Sequence, residues 1–517
     1  MKVAIANHVS GHPNMFWMDK LMQKWLEHFG YETEFLTCDS NLSACLRLKH
    51  TVGMLPIDIS TGNWKSSKSA CQKCRANSNT FANAKVIEIN PLSHSEAVLM
   101  SDWEEHTYRD IPIGEHARSN VHRYFAKGLL DYKNNEVKIT YAMFLKAAIE
   151  TTDAYFEYFE ISKPDIVLAH HGIYVPQGVI VDVAKRLGIQ VATWNFGYRK
   201  GSILVVHGDS YHKIMPAITR QAIETMQLTD AHRELGEAYL KSRVIGKADW
   251  INYQHQVNEI HSPVDRSNSS KLDYDFLILT NVAWDAKAHF KDGIFEDQHE
   301  WLTQTINYLS QKKLRVGIRV HPGEVLGSTI SRESLGDYCK NLVDKLDGLC
   351  QFEIFNAENP VSTYGLIARS KCCLVFASKI ALEASYCGKR VVIAGEAWVK
   401  SKGLALEPKD PKSYFEVIDE ILSSTEEPDK EQLRLLAADF AFLLFYEEAP
   451  SPLSLERIKT IDSTAIEEIY YKQSSSEMNN DIEIKRLVEK IVYNRRSVTI
   501  SPDIVKEKLR NLNNDFE

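Results

Sequence analysis

A chain of 517 residues exceeds what one ordinary core supports, so two large domains with additions are expected. Its 44% hydrophobic and 25% charged residues suit a globular protein in water, and a formal net charge of -8 argues against a basic nucleic-acid-binding face. No apolar run approaches the roughly 18 residues of a membrane span, and the opening strand runs into Asn7-His8 rather than a signal-peptide core, which predicts a cytoplasmic protein. An odd count of nine clustered cysteines does not fit a secreted disulfide scaffold.

Lys2–Ala6 reads as a first strand, followed by the loop Asn7–Asn14 with His8 and His12. Phe16, Trp17, Leu21, Trp25, Leu26 and Phe29 then recur at helical spacing until Gly30, and Glu34–Thr37 is a second strand. This β-α-β start predicts a Rossmann-like domain. From about 38 to 83 periodicity disappears, and Cys38, Cys45, Cys71 and Cys74 fall in this insert, the last two as Cys-x-x-Cys. Two thiolates three apart on a turn reach one tetrahedral ion, so a structural zinc or iron–sulfur centre is one expectation. Unrelated small residues in an excursion are the other.

Helical patterns cover 113–130 and 141–159. A strand over 164–169 ends at His170-His171-Gly172, a helix follows at 176–187, and the strand Gln190–Trp194 leads to Arg199 and Lys200, set between two glycines. Either cation could hold a phosphate or an acidic acceptor, or sit in a solvated turn. A short strand, Ile203–Val206, ends at His207-Gly208-Asp209. Helices fill 215–256, and the polar Ser/Asn stretch at 261–272 reads as an interdomain linker.

The second domain opens with the strand Phe276–Leu279 and a loop containing Asp285. The β-branched run from Leu314 ends in His321-Pro322-Gly323-Glu324, a buried parallel strand opening into a loop at the edge where doubly wound domains bind ligands. Ser362 and Thr363 begin a helix whose amides could meet an anion. A strand from Cys372 ends at Ala377-Ser378-Lys379, and a helix with Glu383 leads through Gly388 to the strand Arg390–Ile393. The predicted organisation is therefore an acceptor-side Rossmann-like domain at 1–260, a linker at 261–272, a donor-nucleotide domain at 273–450 and a helical tail at 451–517.

Several of these stretches, NVAWD at 281–285, RVHPGE at 319–324, STYGL at 362–366 and ASKIALEASYCGKRVVIAGEAW at 377–398, together with WNFGYRKGS at 194–202 and VHGDSYH at 206–212, resemble bacterial capsule and surface-polysaccharide biosynthesis proteins. The resemblance covers most of residues 1–450. It implies an α/β GT-B-like fold, two Rossmann-like domains facing across a cleft, and a glycosyltransferase moving a sugar from a nucleotide-sugar donor to a glycan or glycolipid acceptor. His321 of the His-Pro pair and Ser378 would then contact the donor phosphate, and Glu383 the donor ribose. Val375 stands where one large retaining group has the first glutamate of its paired-Glu motif, which sets this chain apart from that group. The acidic-acidic-Gly motif of the sialic- and deoxyoctulosonic-acid transferases is absent as well, which leaves the base and a CMP-linked donor open.

For an inverting transfer, His321, Lys379 and helix-start amides would stabilise the leaving phosphate without a metal. The base would be His12 or else His171, with Asp209 a third candidate. No cofactor is required for that chemistry. The expected partners are the nucleotide-sugar, the acceptor and other assembly proteins at the inner face of the cytoplasmic membrane, with no nucleic acid. Rival readings are a polyol-phosphate transferase of teichoic-acid type, a nucleotide-sugar epimerase, and a non-catalytic assembly or export factor.

Overall fold

The computed structural model describes residues 1–47, 69–79, 84–90, 106–243, 248–250, 273–286, 293–327, 329–494 and 500–514. The linker expected at 261–272, and the 48–68 and 80–83 parts of the cysteine-rich insert, lie outside these residues. The chain forms two compact units, one of residues 1–125, 129–214 and 448–496, the other of 126–128, 215–447 and 497–517. Two α/β units with largely parallel sheets in one chain are the make-up expected of a GT-B-like protein.

The first unit is built on a six-stranded sheet of β1 (Lys2–Asn7), β2 (Glu32–Cys38), β3 (Ala84–Ile87), β4 (Ile166–His170), β5 (Gln190–Phe196) and β6 (Ile203–His207). Their order is β3-β2-β1-β4-β5-β6, with only β6 antiparallel to its neighbour. Alternation decides the faces. Ala4 and Ala6 of β1 join the core under the Asn135–Ser162 helix, whose Phe144, Ala148 and Tyr155 are fully buried. On the opposite side, Phe16 of the Pro13–His28 helix meets Phe35 of β2 edge to face at 6.0 Å. The Asn135–Ser162 helix starts where the Asn134 side chain accepts from the Glu136 N–H and ends at Lys163 in a left-handed conformation.

The second unit has five parallel strands, β7 (Tyr274–Leu279), β8 (Arg315–Arg319), β9 (Gln351–Phe355), β10 (Ser370–Val375) and β11 (Arg390–Ile393), in the order β11-β10-β7-β8-β9. Trp301, Leu302, Ile306 and Leu309 of the Gln298–Ser310 helix cover one face, and Asp297 caps that helix by accepting from the His299 and Glu300 N–H groups. In both sheets the strand order reverses at the first strand, between β1 and β4 and between β7 and β10. That is where doubly wound sheets leave a crevice at their C-terminal edge.

The division differs from the sequence reading in two places. Residues 215–243 pack with the second unit rather than ending the first domain. The Asp230–Arg243 helix lies so close to the Lys430–Phe442 helix that a Cβ on Gly236 would stand 2.1 Å from the Ala438 carbonyl oxygen. Arg233 also binds Asp439 at 2.9 Å. The tail, in turn, is part of both cores. The carbonyls of Glu448 and Pro450 accept from Val205 and Ile203, extending the β6 edge, while the Pro502–Asn514 helix packs on the Asp230–Arg243 helix.

Candidate functional site

In the second unit the loops after β7, β8 and β10 carry the candidate side chains to the switch point. The His321 backbone N–H donates to Thr280 Oγ1 (3.0 Å), and its Nδ1 accepts from the Gly323 N–H (2.9 Å). A Cβ on residue 323 would stand 2.7 Å from that Nδ1, so the close approach requires glycine. Because Nδ1 is an acceptor, the ring proton of the neutral imidazole sits on Nε2. Burial pulls the His321 pKa down to about 4, assisted by the charges of Lys379 and Arg319. His321 is thus an uncharged ring with a fixed N–H donor at neutral pH.

Lys379 begins the short helix after β10 and carries Nζ 3.6 Å from Glu383 Oε1 and 5.6 Å from the centre of the Phe445 ring. Burial, with help from Arg243, lowers its pKa to about 8, so it still holds its proton at pH 7. Glu383 does not stand open for a ribose. It accepts from Arg243 Nε at 2.7 Å, and Arg243 is in turn bound to Asp249, which also receives the Tyr239 hydroxyl (2.5 Å). Arg319, two residues before His321, gives its hydrogen bonds to neutral oxygens, Thr363 Oγ1 (3.2 Å) and the Asn356 carbonyl (2.7 Å). Its charge therefore adds to the positive potential at the end of β8. Neither Arg243 nor Arg319 was singled out by sequence. Arg319 lies inside the RVHPGE stretch, whereas Arg243 has no local signal because its partners are 6 and 140 residues away.

The remaining donor-side residues divide by role. Ser378 is buried in the turn before Lys379. Ser362 caps the Thr363–Ala368 helix by accepting from the Gly365 N–H, and the Thr363 hydroxyl is occupied by Arg319. Pro322 starts the one-turn helix Gly323–Leu326. Glu324 is buried, and burial raises its pKa to about 8, reinforced by Glu333, Glu358 and Asp337; its surroundings repel a phosphate rather than bind one. Asp285 lines a small solvent-open recess with Asn281, Glu296 and Asp297. That acidic lining suits hydroxyl or amine groups and not an anion.

In the first unit the corresponding edge carries a histidine cluster. His8 bonds the Tyr155 hydroxyl through Nε2 while its Nδ1 lacks a hydrogen-bond partner, and burial takes its pKa down to about 3. His170 Nδ1 is 3.2 Å from Gln177 Nε2. His171 follows with a left-handed backbone (φ 68°), which a non-glycine residue adopts only at a cost. Its Nδ1 is buried without a hydrogen bond, its ring faces His212 at 6.0 Å, and burial together with His212 and Arg123 keeps it neutral. His12 occupies the N-cap position of the Pro13–His28 helix and lies close enough to disfavour charge on His170. Asp19 underpins this edge, accepting from Asn7 Nδ2 (2.5 Å) and Trp194 Nε1 (2.7 Å); burial raises its pKa to about 7. The sequence signal for Asp19 is an aspartate among the buried residues of the first helix.

Two acceptor-side expectations are met differently. Asp209 sits between Lys185 (2.7 Å) and Lys213 (3.6 Å), ion pairs that occupy the carboxylate proposed as a base. Arg199 is buried and binds Glu456 (3.3 Å) and the Ala449 carbonyl (3.2 Å), so it fastens the 196–202 turn to the returning chain instead of facing a ligand. Lys200 beside it is half-buried. Cys38, Cys45, Cys71 and Cys74 all belong to this unit. Among the described residues no group of three or more His, Cys, Asp or Glu is placed to hold a single metal ion. No helix among them is long and apolar enough to cross a membrane.

No family model and no curated protein matches the chain. Solved structures with a similar fold include the KpsC beta Kdo 2,4 transferase of Thermosulfurimonas dismutans, at 12% identity over 54% of this chain and 80% of that one, with a TM-score of 0.34. The MnaA–UDP co-structure of S. aureus is 11% identical over 96% of this chain and 99% of that one, with a TM-score of 0.29. MurG of Acinetobacter baumannii is 12% identical over 85% and 94%, with a TM-score of 0.26. These likenesses are distant, and they leave substrate and mechanism to be argued from the residues.

Proposed function

We propose that the chain is a glycosyltransferase that takes a sugar from a nucleotide-sugar donor and adds it to a surface polysaccharide or its lipid-linked precursor. The observation that carries this reading is the neutral His321, with its proton fixed on Nε2, electrostatically coupled to the Lys379 ammonium at a switch-point edge. A preorganised N–H donor and a buried cation are what a leaving phosphate needs as its oxygen gains charge. The resemblance of RVHPGE and the Ser378–Glu383 stretch to capsule-biosynthesis proteins supplies the substrate class. Glu383 is assigned a positioning role, holding Lys379 while Arg243 and Asp249 hold Glu383.

The acceptor hydroxyl is assigned to the histidine edge of the first unit, with His171 as the base that accepts its proton. His171 is preferred to His12 because burial, with His212 and Arg123, keeps its ring neutral and because it holds a left-handed backbone. The product would be inverted at the transferred carbon, the nucleoside phosphate leaving as the acceptor oxygen bonds.

The test is a thermal-shift screen of the whole chain against CMP, CDP, UDP, GDP and their sugar conjugates, repeated with His321→Ala. A ligand at ~100 times its Kd adds roughly 2.7 kcal/mol of stability. One nucleotide should shift the wild type and shift the variant less, and product analysis should then find a glycoside. A phosphodiester product would favour the polyol-phosphate reading, and an isomerised donor an epimerase. No shift by any nucleotide would remove the reading in favour of an assembly factor.

A further inference from the structure

The second unit holds a pocket that takes no part in the proposed transfer. It is lined by the short Arg220–Glu224 helix, the first turn of the Asp230–Arg243 helix, the turn around Lys402 and the Lys430–Phe442 helix. Its volume of about 220 Å³ is below the roughly 300–1,000 Å³ of pockets for drug-sized ligands, so its occupant is small. Ile223 and Leu436 give it an apolar patch, and the charged side chains of its wall are Arg220, Arg233, Lys402, Glu224 and Asp439.

Lys402 is built into this wall. It is 1% exposed, its ammonium donates to the carbonyls of Met215 (3.0 Å) and Lys400 (2.8 Å), and Nζ stands 4.8 Å from the centre of the Phe440 ring. The turn that presents it is left-handed at Ser401 (φ 63°) and Gly403 (φ 72°), and for Ser401 that conformation carries a cost. Arg220 is fastened to the same turn. Its backbone N–H donates to the Ser401 carbonyl (2.8 Å), and a Cβ on Gly403 would stand 3.4 Å from its Nη1. A guanidinium and an ammonium are thereby brought to the pocket around one turn.

The ion pairs of the wall are unequal. Arg233 grips Asp439 with two hydrogen bonds (2.9 and 3.2 Å), and that carboxylate is only 15% exposed. Arg220 meets Glu224 through one bond at 2.7 Å, and these side chains are 44% and 56% exposed. Exposed i,i+4 pairs contribute little, so a ligand oxygen that accepts from Arg220 displaces Glu224 easily. With Asp439 committed to Arg233, the wall offers that ligand two cations, Arg220 and Lys402. A phosphate monoester carries a charge of about −1.5 to −2 at neutral pH and three acceptor oxygens, whereas a carboxylate balances only one cation. We propose that this pocket binds a small phosphate monoester, with Arg220 and Lys402 at its phosphate and Ile223 and Leu436 against its apolar part. This inference does not depend on the glycosyltransferase reading.

The full chain should be titrated calorimetrically, at low ionic strength, with n-butyl phosphate, inorganic phosphate and butyrate. Butyl phosphate should bind saturably, about tenfold or more tightly than either of the others, at a site that Lys379→Met, a change at the donor edge, retains. Arg220→Gln and Lys402→Met should each weaken it about tenfold or more. Glu224→Gln, which removes the competing carboxylate, should tighten it severalfold, and Lys412→Gln, outside the pocket, should leave it unchanged. If the buried Lys402→Met variant does not fold, the opposite effects expected at the exposed positions 220 and 224 decide the matter. No saturable binding, butyrate or inorganic phosphate binding as tightly as the ester, an unchanged affinity in Arg220→Gln, or loss of binding in Lys379→Met would each overturn the proposal.

Discussion

Arg243 offers the sharpest test of how the donor edge is held. Its guanidinium neutralises two carboxylates, Asp249 and Glu383, whose side chains are only 3% and 4% exposed. Arg243→Ala removes the shared cation and leaves both anions buried, with the Tyr239 hydroxyl on Asp249 and Lys379 at 3.6 Å from Glu383 as the remaining compensation. Breaking a buried pair this way costs about 3–5 kcal/mol, whereas Glu383→Gln keeps the Arg243–Asp249 pair and forfeits one charged hydrogen bond, about 1.5–3 kcal/mol. For a unit of this size each kcal/mol moves the midpoint by roughly 2–4 °C, so Arg243→Ala should lower it by roughly 6–20 °C. The assay is differential scanning calorimetry of the full chain, following the transition that nucleotide stabilises, because two units need not unfold together. If Arg243→Ala moved that transition no more than Glu383→Gln does, the two carboxylates would not be sharing one cation, and the positioning role of Glu383 would fall with it.

Nucleotide affinity measured by calorimetric titration should be level between pH 6 and 7, where His321 is already neutral, and should fall as pH rises through about 8, where free Lys379 loses its proton. Lys379→Met should remove that fall together with most of the affinity. Glu324 has a folded pKa of about 8, above the 4.5 of the unfolded chain, so it favours the fold when protonated and this contribution is lost as pH rises from about 4.5 to 8. Glu324→Gln should therefore gain stability over the wild type by urea unfolding at pH 8, by a few kcal/mol at about 1.4 per pH unit, and gain little at pH 5. His171→Asn, which tolerates the left-handed backbone, should leave the melting temperature nearly unchanged while transfer falls by about 10²–10⁴-fold, the usual worth of a base; an active His171→Asn protein would return the role to His12.

The buried strands were legible because parallel strands covered on both faces read as continuous apolar runs, as at Ile166–Ala169 and Cys372–Val375, and their C-terminal ends mark the ligand edge wherever they fall. His321, Lys379 and His171 are placed on that edge for that reason. Where local signals were weak the reading fell short. β3 is a four-residue edge strand with two exposed positions, too short to alternate visibly. The Asn135–Ser162 helix begins before the apolar pattern at Tyr141, because Asn134 supplies a cap where the periodicity is still silent.

The pairings that set the chemistry at the donor edge could not be read at all. Glu383 sits at the expected place on the expected helix, yet what it does is decided by Arg243, from a segment that sequence composition assigned to the other domain. The same holds for Arg199, whose glycine-flanked turn looks like an anion cradle until Glu456 arrives from 257 residues away. In both cases the residue type and its place on the edge follow from local physics. Whether its charge is left for a ligand depends on which distant carboxylate or guanidinium the fold brings beside it. His321 is less exposed to this ambiguity, because Thr280, which accepts from its backbone N–H, and Gly323, which donates to its Nδ1, belong to the same edge.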